Sequence, residues 1–147
     1  MSFPYDMLVH GVSIVCARQG EAMRGLAVAW ASQAGTDHVV LSIGSQSATR
    51  EFILDSGAFG MSILASDQLE LARRFGALSS RETDKLAGVQ WHAGETGAPL
   101  LDRCLATIDC RVAQVHDLGD LKLIVGRVVG YERRSEGRPL LFRGEDY

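Results

Sequence analysis

The 147-residue chain lacks the excess of positive charge that a nucleic-acid-binding protein usually carries. Its 15 lysines and arginines are outnumbered by 18 aspartates and glutamates, which gives a formal net charge of −3 at pH 7 and a pI near 5.8. The one local basic group, formed by Arg133, Arg134 and Arg138, is interrupted by acidic neighbours. We therefore expect no nucleic-acid partner.

Long apolar runs are also missing. No segment approaches the roughly 18 consecutive apolar residues that a membrane-spanning helix requires. The first six residues, Met-Ser-Phe-Pro-Tyr-Asp, have neither the basic start nor the apolar stretch of a signal peptide. We therefore expect no membrane partner and a cytoplasmic location.

Cysteine and histidine are too few and too scattered for a disulfide framework or a metal site. There are three cysteines and no CxxC pair. If Cys104 and Cys110 share one strand, they lie about 20 Å apart, which is beyond disulfide reach, so we expect reduced core thiols. No two of the four histidines have metal-ligand spacing, and we predict no metal: His10, His38, His92 and His116.

Familiar catalytic and nucleotide-binding motifs are absent as well. The sequence has no Gly-x-Ser-x-Gly elbow and no Walker or dinucleotide-binding fingerprint. It has no repeat or linker either, so we predict one domain over residues 1–147. An enzyme of this size without its own metal or nucleophile borrows its reactivity from an organic cofactor, and no catalytic residue can be assigned.

The chain is dominated by strand-forming segments. Short helices are predicted at 51–56 and 67–75, each followed by glycine, with a further helical turn within 80–88. The pattern predicts a mainly β fold in which closure of a Greek-key barrel removes exposed edges. Strands are predicted at 9–18, 23–31, 38–43, 58–64, 101–115, 121–131 and 139–143.

The segment Arg24–Ser32 is apolar after its first residue and rich in small side chains. On a strand, Trp30 and Ser32 would share one face. The opposite face would carry three alanines, Ala27, Ala29 and Ala31. Such a row would leave a shallow surface where a planar ring could lie close to the backbone. A buried strand packed against a bulky neighbour is the alternative.

Hydroxyl groups and one arginine surround the predicted start of the first helix: Ser45, Ser47, Thr49 and Arg50. Free backbone N–H groups and the positive end of the helix dipole favour an anion there, and the side chains add donors for a phosphate monoester. The alternative is that Ser47 or Thr49 only caps the helix. Combined with the small-residue strand, the phosphate site would suit flavin mononucleotide, FMN.

The order of motifs along the chain resembles that of the flavin reductase-like family of FMN-binding split barrels. The resemblance covers nearly the whole chain, in segments 25–32, 39–44, 47–53, 56–59, 63–64, 67–76, 84–88, 97–101, 110–112, 119–120, 125–128 and 138–142, together with Tyr147. It implies a six-stranded antiparallel Greek-key split barrel with two to three short helices. It also implies a homodimer that binds one FMN per subunit, with FAD as the alternative flavin.

The resemblance further implies that NADH or NADPH reduces the flavin, in many members for a partner monooxygenase. By position, it implies that the segment Ala29, Trp30, Ala31 and Ser32 lies along the flavin ring. Ser47, Thr49 and Arg50 would surround the phosphate. Phe59 would lie near the flavin, and Lys85 would be a further phosphate ligand.

One departure from the family pattern concerns the nicotinamide. Many reductases have Gly-Asp-His where this chain has Gly119-Asp120-Leu121, and that histidine is associated with the nicotinamide side of the pocket. Three alternatives therefore stay open: an FMN-binding electron-transfer protein that does not oxidise NAD(P)H, a ferric reductase of the same fold, and a flavin-free split barrel that acts as an interaction partner.

Overall fold

The structure is a computed structural model of the chain and describes residues 7–77 and 84–147. In this part of the chain, strands alternate with two α-helices. A 3₁₀ turn follows at Gly144–Asp146. In chain order, the elements before it are β1 (Ser13–Gln19), β2 (Ala22–Val28), β3 (Ala31–Ala34), β4 (His38–Gly44), α1 (Ala48–Ser56), β5 (Ala58–Ile63), α2 (Leu69–Ala77), β6 (Trp91–Ala93), β7 (Pro99–Leu101), β8 (Ala106–Asp117) and β9 (Leu121–Arg133).

The main sheet has seven antiparallel strands in the order β2-β1-β5-β8-β9-β4-β3, and β6 and β7 form a separate pair. The prediction of a mainly β fold is confirmed. The predicted six-stranded barrel is wrong in two respects, because the sheet has seven strands and is not closed. The cause is a break at Ala29 and Trp30, which divides the strand predicted at 23–31. Its first part pairs with β1 and its second part pairs with β4.

Other boundaries differ less. The helix predicted at 51–56 is α1, which begins at Ala48 and ends at Gly57, a left-handed C-cap with φ 71°. The strand predicted at 139–143 forms only isolated bridges, Gly11 to Leu141 and Ala65 to Pro139. Part of the helical turn predicted within 80–88 lies outside the described residues.

Two apolar cores lie on opposite sides of β1. Val15 and Ala17 point into the first core, which the curved sheet encloses and to which α1 contributes Phe52 and Ile53. The alternate residues of β1 point into the second core, under α2, together with Phe75. Because β1 is buried on both faces, it reads as a continuous apolar run rather than an alternating one.

Neither a membrane-spanning helix nor a metal-binding cluster occurs in residues 7–77 and 84–147. The helices α1 and α2 have nine residues each, whereas a bilayer span needs about 20, and no described helix is long and apolar enough to cross a membrane. No three His, Cys, Asp or Glu side chains come together in this part of the chain as a metal ion would require.

All three thiols are free and buried. Burial raises the pKa of Cys16 and of Cys110 to about 12, and it also raises the pKa of Cys104. The thiolate is the reactive form of cysteine. These side chains are therefore core residues without nucleophilic reactivity at neutral pH.

We expect the native protein not to react with a water-soluble aromatic disulfide at pH 8, because the thiols are both buried and protonated. After unfolding in guanidinium chloride, all three cysteines of the sequence should react at once. Absorbance of the released thiolate measures both states. A thiol that reacts rapidly in the native protein would contradict the buried placement.

Strand β9 approaches β5 closely at Gly126. A Cβ at this position would lie 2.5 Å from Phe59 Cζ and 2.9 Å from the Cys110 Cβ. We expect Gly126→Ala to lower the free energy of unfolding by about 1–3 kcal/mol, because the methyl group would overpack the core. Urea unfolding followed by circular dichroism measures the change.

Gly130→Ala is the matched control for Gly126→Ala. It lies in the same strand, and the nearest atom to its added Cβ would be the Asp109 Cβ at 3.9 Å, an ordinary contact. We expect a change within about 0.5 kcal/mol. Equal losses in the two variants would show that glycine flexibility, rather than contact with Phe59, sets the effect.

Candidate functional site

The turn between β4 and α1 forms the first part of the candidate site. The Ser47 hydroxyl accepts a hydrogen bond from the Arg50 N–H at 3.3 Å, so Ser47 is the N-cap of α1. The backbone N–H of Ser47 donates to the Gly44 carbonyl at 3.2 Å, and that of Ser45 donates to the Asp120 carbonyl at 2.8 Å. The cap predicted as the alternative is therefore present, and Ser45 remains exposed beside it.

Arg50, at the start of α1, has a buried side-chain nitrogen without a hydrogen-bond acceptor. Its Nη1 is buried and has no hydrogen-bond partner, and it is alone in this among the side-chain nitrogen and oxygen atoms of the described residues. A buried donor on a charged group without a partner costs stability. A phosphate oxygen would supply the missing acceptor, so the residues present fit the phosphate of a flavin nucleotide.

Thr49 lies in the first turn of α1. Its side chain is 1% exposed, and its predicted phosphate contact stays a prediction. The first turn of α1 is held from β2 by Arg24. The Arg24 guanidinium donates to the Ala48 carbonyl and to the Glu51 carboxylate, both at 2.9 Å, and covers the Phe52 ring at 4.0 Å.

The turn between β8 and β9 lies against the serine turn through Asp120. Next to it, the Lys122 ammonium lies 3.3 Å from the Asp117 carboxylate, which also accepts the Gly119 N–H at 3.1 Å. The hydrogen bond and charge of Lys122 lower the pKa of Asp117, followed by the Gly119 N–H and the charge of Arg50. Two cationic side chains therefore lie at this end of the sheet.

Sequence reasoning missed the Asp117–Lys122 pair. The signal that could have found it is the hairpin register, because opposite charges at 117 and 122 flank the Gly119 turn and face each other across it.

The segment Ala29–Ser32 is hydrogen-bonded to β4, the strand that leads into the serine turn. The Ser42 N–H donates to the Trp30 carbonyl at 2.9 Å. Ser42 precedes Ser45 by three residues, or about 10 Å of extended chain. The hydrogen bond to Trp30 therefore lies about 10 Å of extended chain before the predicted phosphate turn, along β4.

The predicted row of alanines is not a single surface. Ala27 packs into the second core and Ala31 against the first, because the break at Ala29 and Trp30 interrupts the strand alternation. Ala29 itself is buried, with 5% exposure. The open flat surface is the Trp30 indole, which is 48% exposed.

Trp30 belongs to an aromatic group at the surface. It stacks on His10, with ring centroids 5.9 Å apart and planes 12° apart, and meets Phe142 edge-on at 5.1 Å. Phe142 in turn stacks on Tyr147 at 5.4 Å. Burial, followed by the charge of Asp146, raises the pKa of Tyr147, so its phenol stays neutral.

A cavity of about 760 Å³ borders the other end of the segment, at Ala31 and Ser32. Its size is that of a small-molecule site. Core side chains such as Met61 and Val128 form apolar walls, and Thr36 and His38 are among its polar lining residues. The segment therefore runs between the serine turn and this cavity.

Two of the residues implied by the resemblance are core residues here. Phe59 is 0% exposed and packs in the first core, so it does not line the candidate site. Lys85 is 5% exposed, and its ammonium donates to the Gly25 carbonyl at 3.1 Å and the Phe75 carbonyl at 2.7 Å. Burial lowers the pKa of Lys85. Lys85 thus joins β2 to the end of α2, and its predicted phosphate contact stays a prediction.

Comparison with known proteins identifies the family of the chain. The flavin reductase like domain matches residues 5–147. The reductase subunit HsaB of a flavin-dependent monooxygenase from Mycobacterium tuberculosis (strain ATCC 25618 / H37Rv) is 42% identical over 94 residues, covering 63% of this chain and 49% of HsaB. The chain spans about half the length of the HsaB proteins it matches.

Two further relatives are matched over more of their length. FMN reductase (NADH) SmoA from Agrobacterium fabrum is 33% identical over 136 residues, covering 91% of this chain and 75% of SmoA. The crystal structure of nitrilotriacetate monooxygenase component B from Mycobacterium thermoresistibile superposes with a TM-score of 0.84 at 33% identity, covering 92% of this chain and 76% of that one. This chain belongs to the flavin reductase like domain family.

Proposed function

We propose that this protein is a flavin reductase that binds FMN and reduces it with NADH or NADPH, as the reductase component of a two-component flavin monooxygenase system. The observation that carries the proposal is the buried, unpartnered Arg50 Nη1 at the start of α1. The names of HsaB, SmoA and nitrilotriacetate monooxygenase component B support the reaction and the partner.

The chain's own residues would bind and orient the cofactor. Bound flavin would supply the chemistry by taking up a hydride from the nicotinamide. Arg50 would pair with its phosphate, and Ser45 and Ser47 would add hydroxyl donors. The hydrogen bond between Ser42 and the Trp30 carbonyl holds the strand segment in position beside them. Asp117 holds the Lys122 ammonium close to the same turn.

FMN is the proposed flavin and FAD the alternative. FMN ends in a phosphate monoester, which carries more negative charge on one phosphorus than either phosphate of FAD. A guanidinium with a free, buried N–H gains most from the more highly charged acceptor. The surroundings of Arg50 therefore favour the mononucleotide.

We also propose that the protein is a homodimer, that residues 1–147 form one domain, and that it works in the cytoplasm. Beyond Arg111, β8 has no pairing with β5, and Val115 and Leu118 are exposed apolar residues on this free part of the hairpin. A second copy would cover such an edge. The free, buried thiols support a reducing compartment.

Arg50→Gln should weaken FMN binding about tenfold or more, because a charge-assisted contact with the phosphate is lost. It should leave the affinity for riboflavin, which has no phosphate, within about twofold. Fluorescence titration of the flavin measures both constants. Because riboflavin has the flavin ring without the phosphate, the difference between the two affinities measures the contribution of the phosphate contact.

Arg138→Gln is the control for Arg50→Gln, since Arg138 is exposed and lies outside the candidate site. Its affinity for FMN should equal that of the parent protein. If Arg50→Gln lowered the affinities for FMN and riboflavin equally, Arg50 would act on the fold rather than on the phosphate.

A flavoprotein that does not oxidise NAD(P)H is the second candidate, and Leu121 favours it. Leu121 begins β9, pairs with Gly44 and follows Asp120, whose carbonyl accepts the N–H of Ser45. A histidine at this position would offer a proton and a charge near the site, whereas leucine offers neither. A ferric reductase of the same fold needs the same flavin site and differs only in its electron acceptor.

Anaerobic mixing of the FMN-loaded protein with NADH or NADPH separates these candidates. We expect loss of flavin absorbance near 450 nm, because hydride transfer needs mainly correct positioning of the two rings. Bleaching by dithionite but by neither nucleotide would identify an electron-transfer protein. Leu121→His should then restore bleaching if the missing histidine is the cause.

A further inference from the structure

Two arginines face each other across the β8–β9 hairpin. Arg111 and Arg127 are directly paired in the antiparallel register, which puts their side chains on the same face with Cβ atoms about 5 Å apart. That face is the outer one, because the neighbouring Cys110 and Val128 pack into or against the first core. Both arginines are exposed.

Within residues 7–77 and 84–147, neither arginine has an anionic partner. No hydrogen bond or salt bridge joins Arg111 or Arg127 to any described side chain, whereas Arg24 and Arg103 each contact a carboxylate. Along β8 the nearest acid is Asp109, two residues before Arg111, and its carboxylate already accepts hydrogen bonds from the Thr96 N–H at 3.0 Å and the Thr96 hydroxyl at 2.6 Å. Asp37 lies next to His38, which pairs with Arg127. The Asp37 carboxylate already lies 2.8 Å from the His38 imidazole.

Two like charges directly opposite each other on a sheet repel. An anion between them would remove the repulsion, and two guanidinium groups side by side are suited to the oxygens of a phosphate. The arrangement is therefore unfavourable for folding alone and favourable for binding a phosphate.

The position of the pair relates it to the candidate flavin site. Leu123 pairs with Ser42, which is hydrogen-bonded to Trp30, and Arg127 lies four residues further along β9, or about 13 Å. Between the two, Val125 pairs with Val40, and both are partly exposed. One ligand lying along this face could place a ring near Trp30 and a phosphate at the arginines.

We propose that Arg111 and Arg127 bind a phosphate of the electron-donating nicotinamide dinucleotide. This inference rests on the proposed function, because it takes NADH or NADPH as the donor. The phosphate belongs either to the diphosphate bridge, which both dinucleotides share, or to the 2′-phosphate, which only NADPH carries. The arginine pair is distinct from Arg50, which lies at the other end of β4.

Calorimetric titration of the full-length protein, with FMN present, tests the assignment. The probes are 5′-ADP for the diphosphate, adenosine 2′-phosphate for the 2′-phosphate, and adenosine as the phosphate-free reference. Arg111→Gln and Arg127→Gln should each weaken binding of at least one phosphate probe about tenfold or more. Neither should change adenosine binding. A loss of affinity for 5′-ADP would show that the arginines bind the diphosphate. A loss of affinity for adenosine 2′-phosphate would show that they bind the 2′-phosphate of NADPH.

Three controls sharpen the test. Arg138→Gln should bind every probe as the parent protein does. The thermal midpoint of each single variant should stay equal to or exceed that of the parent, because one member of a repelling pair has gone. Binding of the phosphate probe to the parent should weaken as salt is raised from 50 to 300 mM.

The proposal is overturned if the double variant binds both phosphate probes as tightly as the parent, or if the parent binds adenosine as tightly as either phosphate probe. It is also overturned if both variants lower the thermal midpoint in parallel with binding, since that would mark a structural role. Failure of NADH and NADPH to bleach the flavin, with probe binding intact, would instead refute the proposed reductase activity alone.

Discussion

The hydrogen bond from the Ser42 N–H to the Trp30 carbonyl, 2.9 Å long, marks the point on which the architecture depends. Before it the chain pairs with β1, and after it the chain pairs with β4. The two edges of the sheet are therefore joined by only two residues. The sheet must curve until these edges approach each other. This curvature encloses the first core and leaves Trp30 exposed at the junction of the two edges.

Local sequence patterns were sufficient to predict most of the helices and strands. The capped start and glycine end of α1, the strand at 38–43 and the strand at 121–131 follow from short-range rules, and the structure has all three. The position of Arg50 at the start of α1 was also predictable. Its burial without a partner was not, because that depends on what the rest of the fold brings around it.

The differences between expected and observed side-chain placement share a physical cause. The alternation of side chains between faces holds only while a strand is unbroken, so the break at Ala29 and Trp30 put Ala27 and Ala31 into different cores. Phe59 and Lys85 were placed near the flavin by resemblance. Phe59 fills the space that Gly126 leaves open, and Lys85 donates to the Gly25 carbonyl in β2. Both contacts join residues that are far apart in the sequence.

The arginines without a carboxylate partner differ in how much this lack of a partner lowers the stability of the fold. The chain has more acidic than basic residues, so carboxylates are not scarce, and Arg24 and Arg103 contact them. An exposed arginine such as Arg138 is solvated by water at little cost. Arg50, with a buried Nη1, and the opposed pair of Arg111 and Arg127 are instead in arrangements that folding alone disfavours. Under the proposals made above, anions would offset the cost of both arrangements: a flavin phosphate at Arg50, and a dinucleotide phosphate at Arg111 and Arg127.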